Sequence, residues 1–204
     1  MYLPNPFKVE DPATIEAFID RYGFATIVSS TPTGLLATHV PVAVKRDAAG
    51  LTVVGHVARA NPHWESMDGT RESLVIFHGP HGYVSPSWYA SSPAVPTWNY
   101  AVVHAYGRPR ATHDPAFVER ELRELLRRHE RSSWQLDDLP REFTTQQLAR
   151  IVGFEMTVTR LEAKFKLGQN RTADDRARTI DQLEQQDSSE TKQLAALMRE
   201  HFEG

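Results

Sequence analysis

The chain of 204 residues contains no cysteine. That absence excludes disulfides, thiolate metal ligands, cysteine nucleophiles and flavin–disulfide relays. It agrees with a reducing cytoplasm, the compartment expected for this protein. No G-x-G-x-x-G, G-x-x-x-x-G-K-[ST] or G-x-S-x-G occurs. The dinucleotide fingerprint, the phosphate loop and the hydrolase elbow are therefore all missing. No run approaches ~20 apolar residues, so neither a membrane span nor a membrane partner is expected. Pro4, Pro6 and Lys8 interrupt the opening "MYLPNPFKVEDP", which argues against a signal peptide. A basic excess is also lacking: the net charge is -3, unlike that of a nucleic-acid coat. No repeat of 20–50 residues and no low-complexity block is present.

What is present is a globular composition, long enough to bury a core without staples. Asp11 and Pro12 suit a helix start, and Ile15, Phe18, Ile19 and Tyr22 follow at helical spacing, with Gly23 as the stop. Segments 24–30, 35–44 and 51–58 are rich in Val, Ile and Thr, separated by "TPTG" and "RDAAG" turns, and read as strands. Residues 61–68 read as one short helix, and 73–79 and 101–107 as further strands. A helix is predicted over 114–131, with Val118, Leu122, Leu125 and Leu126 on its apolar face. Its five arginines alternate with glutamates, which points to a solvated, internally paired face rather than a DNA-recognition helix. Segment 153–168 alternates as a half-buried strand, and two polar helices follow, the first opened by Thr172 and Asp175. Short turns favour hairpins over crossovers. The expected fold is α+β: a closed or nearly closed, mostly antiparallel β-barrel over residues 1–170, with outer helices, and a helical extension over 171–204.

Nine histidines raise the question of a metal. The tightest pair, His78 and His81, flanks Gly79-Pro80, which reads as a turn, and no H-E-x-x-H accompanies it. No metal site is expected.

Three polar segments are unexplained by packing. The first, "GHVARANPHW" (55–64), offers His56, Arg59 and Asn61 where a strand gives way to a helix, a phosphate-cradle arrangement. The second, "YVSPSWYASSPAVPTWNYAVVHAYG" (83–107), mixes flat rings with Ser85, Ser87, Thr97 and Asn99, and holds Trp88 and Trp98. The third, "KFKLGQNR" (164–171), gathers Lys164, Lys166, Gln169, Asn170 and Arg171 at the end of the long strand. Flavin mononucleotide (FMN) asks for such a set: cations for phosphate, amides and hydroxyls for the ring edge, and aromatics for its face. On spacing alone other readings stay open. Arg59 also suits a surface ion pair, Trp88 and Trp98 a core, and Lys166 a solvated strand end.

"MYLPNPF", "HVARANPHW", "YVSPSWY", "VPTWNYAVVHAYG" and "KFKLGQN" resemble, in order and spacing, the PaiB-type FMN-binding regulators. The resemblance runs from residue 1 to about 171. It implies a split β-barrel related to pyridoxamine-phosphate oxidases and flavin reductases, and a homodimer with FMN near the interface. It also implies a role in negative transcriptional regulation, with a specific DNA target or a regulatory partner. Carried across, the cofactor-binding candidates are His56, Arg59, Asn61, Ser85, Ser87, Trp88, Thr97, Trp98, Asn99, Lys166, Gln169 and Asn170, with Tyr89 and Tyr100 in the same motifs. Two departures stand out: Gly168 where the family usually has serine, and "ASSPA" (90–94) where the family segment is usually longer and more basic. The alternative is an FMN-dependent oxidoreductase, for which His56, His63 and Tyr89 are the acid–base candidates. A third is a barrel that has lost flavin and serves as an interaction module.

Overall fold

The computed structural model describes residues 1–48 and 50–203. Ala49, inside the predicted "RDAAG" turn, lies outside the described residues. Strand β1 (Lys8–Val9) leads into helix α1 (Pro12–Arg21). Asp11 caps that helix as expected: its Oδ2 accepts from the Thr14 N–H at 2.8 Å and from the Thr14 hydroxyl at 2.6 Å. Next come β2 (Phe24–Thr31), β3 (Gly34–Asp47), β4 (Gly50–Ala58), β5 (Ser73–Val84), β6 (Thr97–Gly107) and β7 (Arg110–Thr112). Helices α2 (Pro115–His129) and α3 (Arg141–Leu148) precede the long strand β8 (Ile151–Lys166), and α4 (Ala173–Glu184) and α5 (Ser189–Glu203) close the chain. The hydrogen-bonded strand order is β1-β8-β4-β3-β2-β5-β6, with β6 also pairing back to β8 and β7 attached to β8. Six of the strands therefore close a ring, which makes the α+β split barrel that the sequence implied.

Two compact units divide the chain: residues 19–77 with 104–161, and residues 1–18 with 78–103 and 162–204. In the first, β2 pairs antiparallel with β3 (Thr26↔His39) and β5 (Ile27↔Val75), and β4 pairs with β3 (Val44↔Val53) and β8 (Val53↔Met156). Ile27, Val53, Val75, Phe77, Phe154 and Met156 are fully buried and form its core. The arginine-rich face of α2 is paired as predicted. Arg123 binds Glu119 and Asp137, while Arg127 and Arg128 share Glu124. Glu121 departs from that pattern. It is buried, and its Oε1 accepts from Lys45 of β3 at 2.5 Å, because α2 packs its carboxylate side rather than leucines alone against the sheet.

In the second unit, β1 pairs with the end of β8 (Lys8↔Lys164), and α4 and α5 bury Leu183, Leu194, Ala195 and Met198. Three expectations need correction. His78-Gly79-Pro80-His81 is no turn, since β5 runs unbroken through it. The glycine has a packing reason: a Cβ at Gly79 would lie 2.5 Å from Phe18 Cζ. The predicted short helix at 61–68 is a 3₁₀ turn, Pro62–Ser66. Thr172 does cap α4, its Oγ1 accepting from the Asp175 N–H at 3.1 Å. The Asp175 carboxylate, however, turns away to the 90–91 backbone instead of closing a capping box.

Candidate functional site

The predicted site residues fall into two clusters, one in each unit. In the first unit, β4 ends at Ala58 and the chain turns through "RANP" into the 3₁₀ segment. Arg59 is exposed, but its guanidinium is already engaged. Nε donates to the Ala149 carbonyl at 2.6 Å and Nη2 to the Ile151 carbonyl at 3.3 Å, and Nη1 lies 3.3 Å from His113 Nδ1. It borders a cleft of about 530 Å³ shared with His113, Arg141 and Thr145. Asn61 caps the 3₁₀ turn through its Oδ1, which accepts from the His63 N–H at 3.0 Å, and its Nδ2 donates to Thr38 Oγ1 at 3.1 Å. His56 is half-buried, and burial holds its imidazole below the ordinary histidine range.

Sequence reading named His63 as an acid–base candidate but missed the group around it beneath Asn61. His63 is fully buried and bonded at both ring nitrogens: Nδ1 to Thr38 Oγ1 at 2.8 Å and Nε2 to Ser29 Oγ at 2.9 Å. Ser29 Oγ in turn meets Ser73 Oγ at 2.6 Å. These four residues come from β2, β3, β5 and the 3₁₀ turn, so no local motif could reveal them. Burial keeps His63 below the usual histidine pKa, hence neutral near pH 7.

In the second unit, β6 opens with Thr97-Trp98-Asn99 opposite the end of β8. The Lys166 ammonium donates to Thr97 Oγ1 and, at 2.7 Å, to the Trp98 carbonyl. Two of its three N–H groups are thereby used. Trp98 is 47% exposed, and its indole N–H donates to His81 Nδ1 at 3.2 Å. His81 Nε2 faces Glu190 Oε1 at 3.1 Å. Tyr83, also exposed, stands edge-on to Trp98 with centroids 6.3 Å apart. The strand register explains the grouping, because His81 and Tyr83 share one face of β5 two residues apart.

The remaining predicted residues serve local geometry. Ser85 Oγ accepts from the Ser87 N–H at 3.2 Å and lies 2.8 Å from Ser87 Oγ, capping the 3₁₀ turn that carries the half-buried Trp88. Asn99 is buried, with Nδ2 3.7 Å from Met198 Sδ. Gln169 folds back on its own chain: Oε1 accepts from the Leu167 N–H at 2.8 Å and Nε2 donates to the Phe165 carbonyl. Asn170 is exposed. Gly168 has φ +90°, a left-handed conformation that glycine adopts freely and a serine adopts at a cost.

The electrostatics of this second cluster are unbalanced. Lys164 is buried, donates to the Tyr2 carbonyl at 3.0 Å and lies 5.3 Å from the Tyr100 ring centroid. Arg171 lies 4.2 Å over Tyr89. Burial, followed by the charges of Lys164 and Arg171, pushes the Lys166 ammonium below its ordinary pKa. None of the three forms an ion pair with a carboxylate among the described residues. Three cations resting on carbonyls and rings, with an N–H to spare on Lys166, form a donor set suited to an anion. Beside them stand an exposed indole and a phenol that can cover a flat ring. The FMN phosphate and isoalloxazine fit this chemistry.

Comparison with known proteins agrees. The family described as "Putative FMN-binding domain" matches residues 1–160. "Protease synthase and sporulation protein PAI 2" of Bacillus subtilis is 35% identical, over 98% of this chain and 97% of that protein. An uncharacterized protein of Emericella nidulans is 32% identical, over 73% of this chain and 72% of its own length. Among solved structures, the flavocytochrome Anf3 of Azotobacter vinelandii superposes with TM-score 0.64 at 16% identity, covering 84% of this chain and 75% of that one. The FAD and heme binding protein of Mycobacterium smegmatis gives 0.57 at 13% identity, covering 83% and 78%. At such identities these two establish the fold alone. The chain belongs to the FMN-binding domain family, as a flavoprotein of the PaiB type.

Proposed function

We propose that this chain is a cytoplasmic, homodimeric regulator that senses or responds through bound FMN. The observation carrying the reading is Lys166: a half-buried ammonium, repelled by Lys164 and Arg171, with one N–H unengaged beside the exposed Trp98 indole. An arriving anion or ring carbonyl takes up that N–H and offsets the repulsion. Lys166 and Thr97 supply the polar contacts and Trp98 the flat cover. The flavin lies near the dimer interface. When bound, FMN supplies reversible two-electron chemistry; the side chains named here bind and orient it. The regulatory role is supported by the 35% identical relative, whose name ties it to protease synthesis and sporulation. With net charge -3 and a self-paired α2, regulation runs through a specific operator patch or a partner, not through general DNA affinity.

The test is direct. Purified protein is soaked in FMN, desalted, and its visible spectrum recorded with a check of folding by circular dichroism. About one flavin per chain should remain at micromolar affinity or better. A folded but colourless protein refutes the proposal.

A further inference from the structure

We infer that His81 is a positioning residue of the flavin site: it holds the Trp98 indole in place, and Glu190 of α5 holds His81 in the one tautomer that can do so. This rests on the flavin reading above and deepens it, by naming what sets the ring cover.

The residues involved lie in one compact unit, together with Lys166. An indole N–H can only donate. That of Trp98 points at His81 Nδ1 at 3.2 Å, so Nδ1 must carry a lone pair. A neutral imidazole then has its proton on Nε2, which faces Glu190 Oε1 at 3.1 Å. An ionised carboxylate can only accept, so both contacts require the same tautomer. The other tautomer fails at both ends at once. Its Nδ1–H would meet the indole N–H, and its bare Nε2 would meet the carboxylate. The imidazolium fails at the indole end. Glu190 therefore acts on the Trp98 ring through His81.

The packing brings these groups together. His81 and Tyr83 share one face of β5, and the Trp98 ring centroid lies 5.7 Å from that of His81 and 6.3 Å from that of Tyr83. Gly82, between the two, takes the opposite face. A Cβ there would lie 3.1 Å from Leu194 Cδ2 and 3.5 Å from Thr191 Cγ2. The glycine thus lets α5 lie close against β5, which puts Glu190, in the first turn of that helix, within reach of His81. Trp98 is gripped twice: Lys166 takes its backbone carbonyl at 2.7 Å, and His81 takes its indole. Without the second grip the indole, 47% exposed, is free to change rotamer, and an arriving flavin must order it.

The test uses the full-length protein. In the flavin-free form, ¹⁵N-histidine NMR reads the tautomer. Nε2–H is expected for His81, and Nδ1–H overturns the inference. FMN and riboflavin are then titrated into wild type, His81→Leu, His81→Asn, Trp98→Phe and the double variant, with folding checked by circular dichroism. Loss of one neutral hydrogen bond predicts about three- to ten-fold weaker binding of both ligands by His81→Leu, since the ring contact and not the phosphate is affected. Asparagine places an amide oxygen where Nδ1 stands, so His81→Asn should stay within about 2-fold of wild type. Phenylalanine has no N–H to hold, so in the Trp98→Phe background His81→Leu should cost less than about 2-fold more. Glu190→Ala, at an exposed helix position, should raise the Nδ1–H population and weaken both ligands; no change in either overturns the inference. A residue that merely supported the strand would weaken binding equally in both backgrounds, without rescue by asparagine. That result overturns the inference, as does wild-type affinity in His81→Leu. Wild type that retains no flavin ends the parent reading and this one with it, whereas flavin retained with an Nδ1–H tautomer, or with additive variants, sinks this inference alone.

Discussion

Replacing Lys166 by methionine is the sharpest perturbation, because it separates a binding lysine from a structural one. Methionine keeps the length and apolar stem but removes the charge. Two effects then oppose each other in the ligand-free protein. Donation to Thr97 Oγ1 and to the Trp98 carbonyl is lost, while burial of a charge and repulsion from Lys164 and Arg171 are relieved. Each is worth about 1 kcal/mol at a half-exposed site, so the net change in stability should be within about 1 kcal/mol, or ~2–4 °C in Tm. Binding has no such compensation. A charge-assisted hydrogen bond to the ligand contributes ~1.5–3 kcal/mol, which predicts FMN affinity reduced roughly 10- to 150-fold. The assay is fluorescence titration of FMN and riboflavin, paired with thermal unfolding of the apoprotein. Wild-type affinity in Lys166→Met refutes the assignment. So does a Tm lower by more than about 8 °C with affinity falling in proportion, since the lysine would then be holding β6 rather than ligand.

Arg59→Ala should weaken FMN more than riboflavin, and equal losses would remove Arg59 from the phosphate contacts. Some stability should also go, because the guanidinium ties Ala149 and Ile151 to the end of β4. His56, His63 and His201 all have pKa values lowered by burial, so the unfolded chain takes up protons first as pH falls. Stability should hold above the unfolded value of about 6.5 and decline from there toward the lower folded values. Urea unfolding at pH 7.5 and pH 5 reads this, and an unchanged midpoint would contradict it. Adding FMN should drive dilute protein toward dimer in sedimentation. A mass near 23.1 kDa with flavin still bound would show that one chain builds the whole site.

Local signals carried most of the fold. Asp11 and Thr172 announced their helices because a cap is a contact between near neighbours. The Val- and Thr-rich runs announced their strands through side-chain alternation. The His78–His81 segment misled because Gly-Pro is a turn signal in isolation, whereas here the glycine admits the Phe18 ring against a continuous strand. Glu121 misled because a glutamate among arginines reads as solvated, whereas β3's Lys45, far off in sequence, joins Arg120 in pairing its buried carboxylate. The site was legible in part for the same reason. Thr97, Trp98 and Lys166 were recognisable as polar-aromatic clusters, and strand pairing then joined them. His63 was named as an acid–base candidate, but its bonds to Thr38 and Ser29, and through Ser29 to Ser73, were invisible, since those partners are single, ordinary residues on separate segments. His81 was seen but given no role, because nothing local links it to Trp98 or Glu190.

The short segment after Tyr89 is fastened at its first two residues. The Asp175 carboxylate accepts from the Ala90 N–H at 2.8 Å, the Ser91 N–H at 3.1 Å and the Ser91 hydroxyl at 2.5 Å. The fastening holds the first two residues of the 90–94 stretch, where the family resemblance implies a longer segment. Residues inserted beyond Ser91 thus hang from a fixed post, and Tyr89 and the 3₁₀ turn behind it keep their places whatever the length that follows. Evolution can lengthen, shorten or recharge this loop as an independent module.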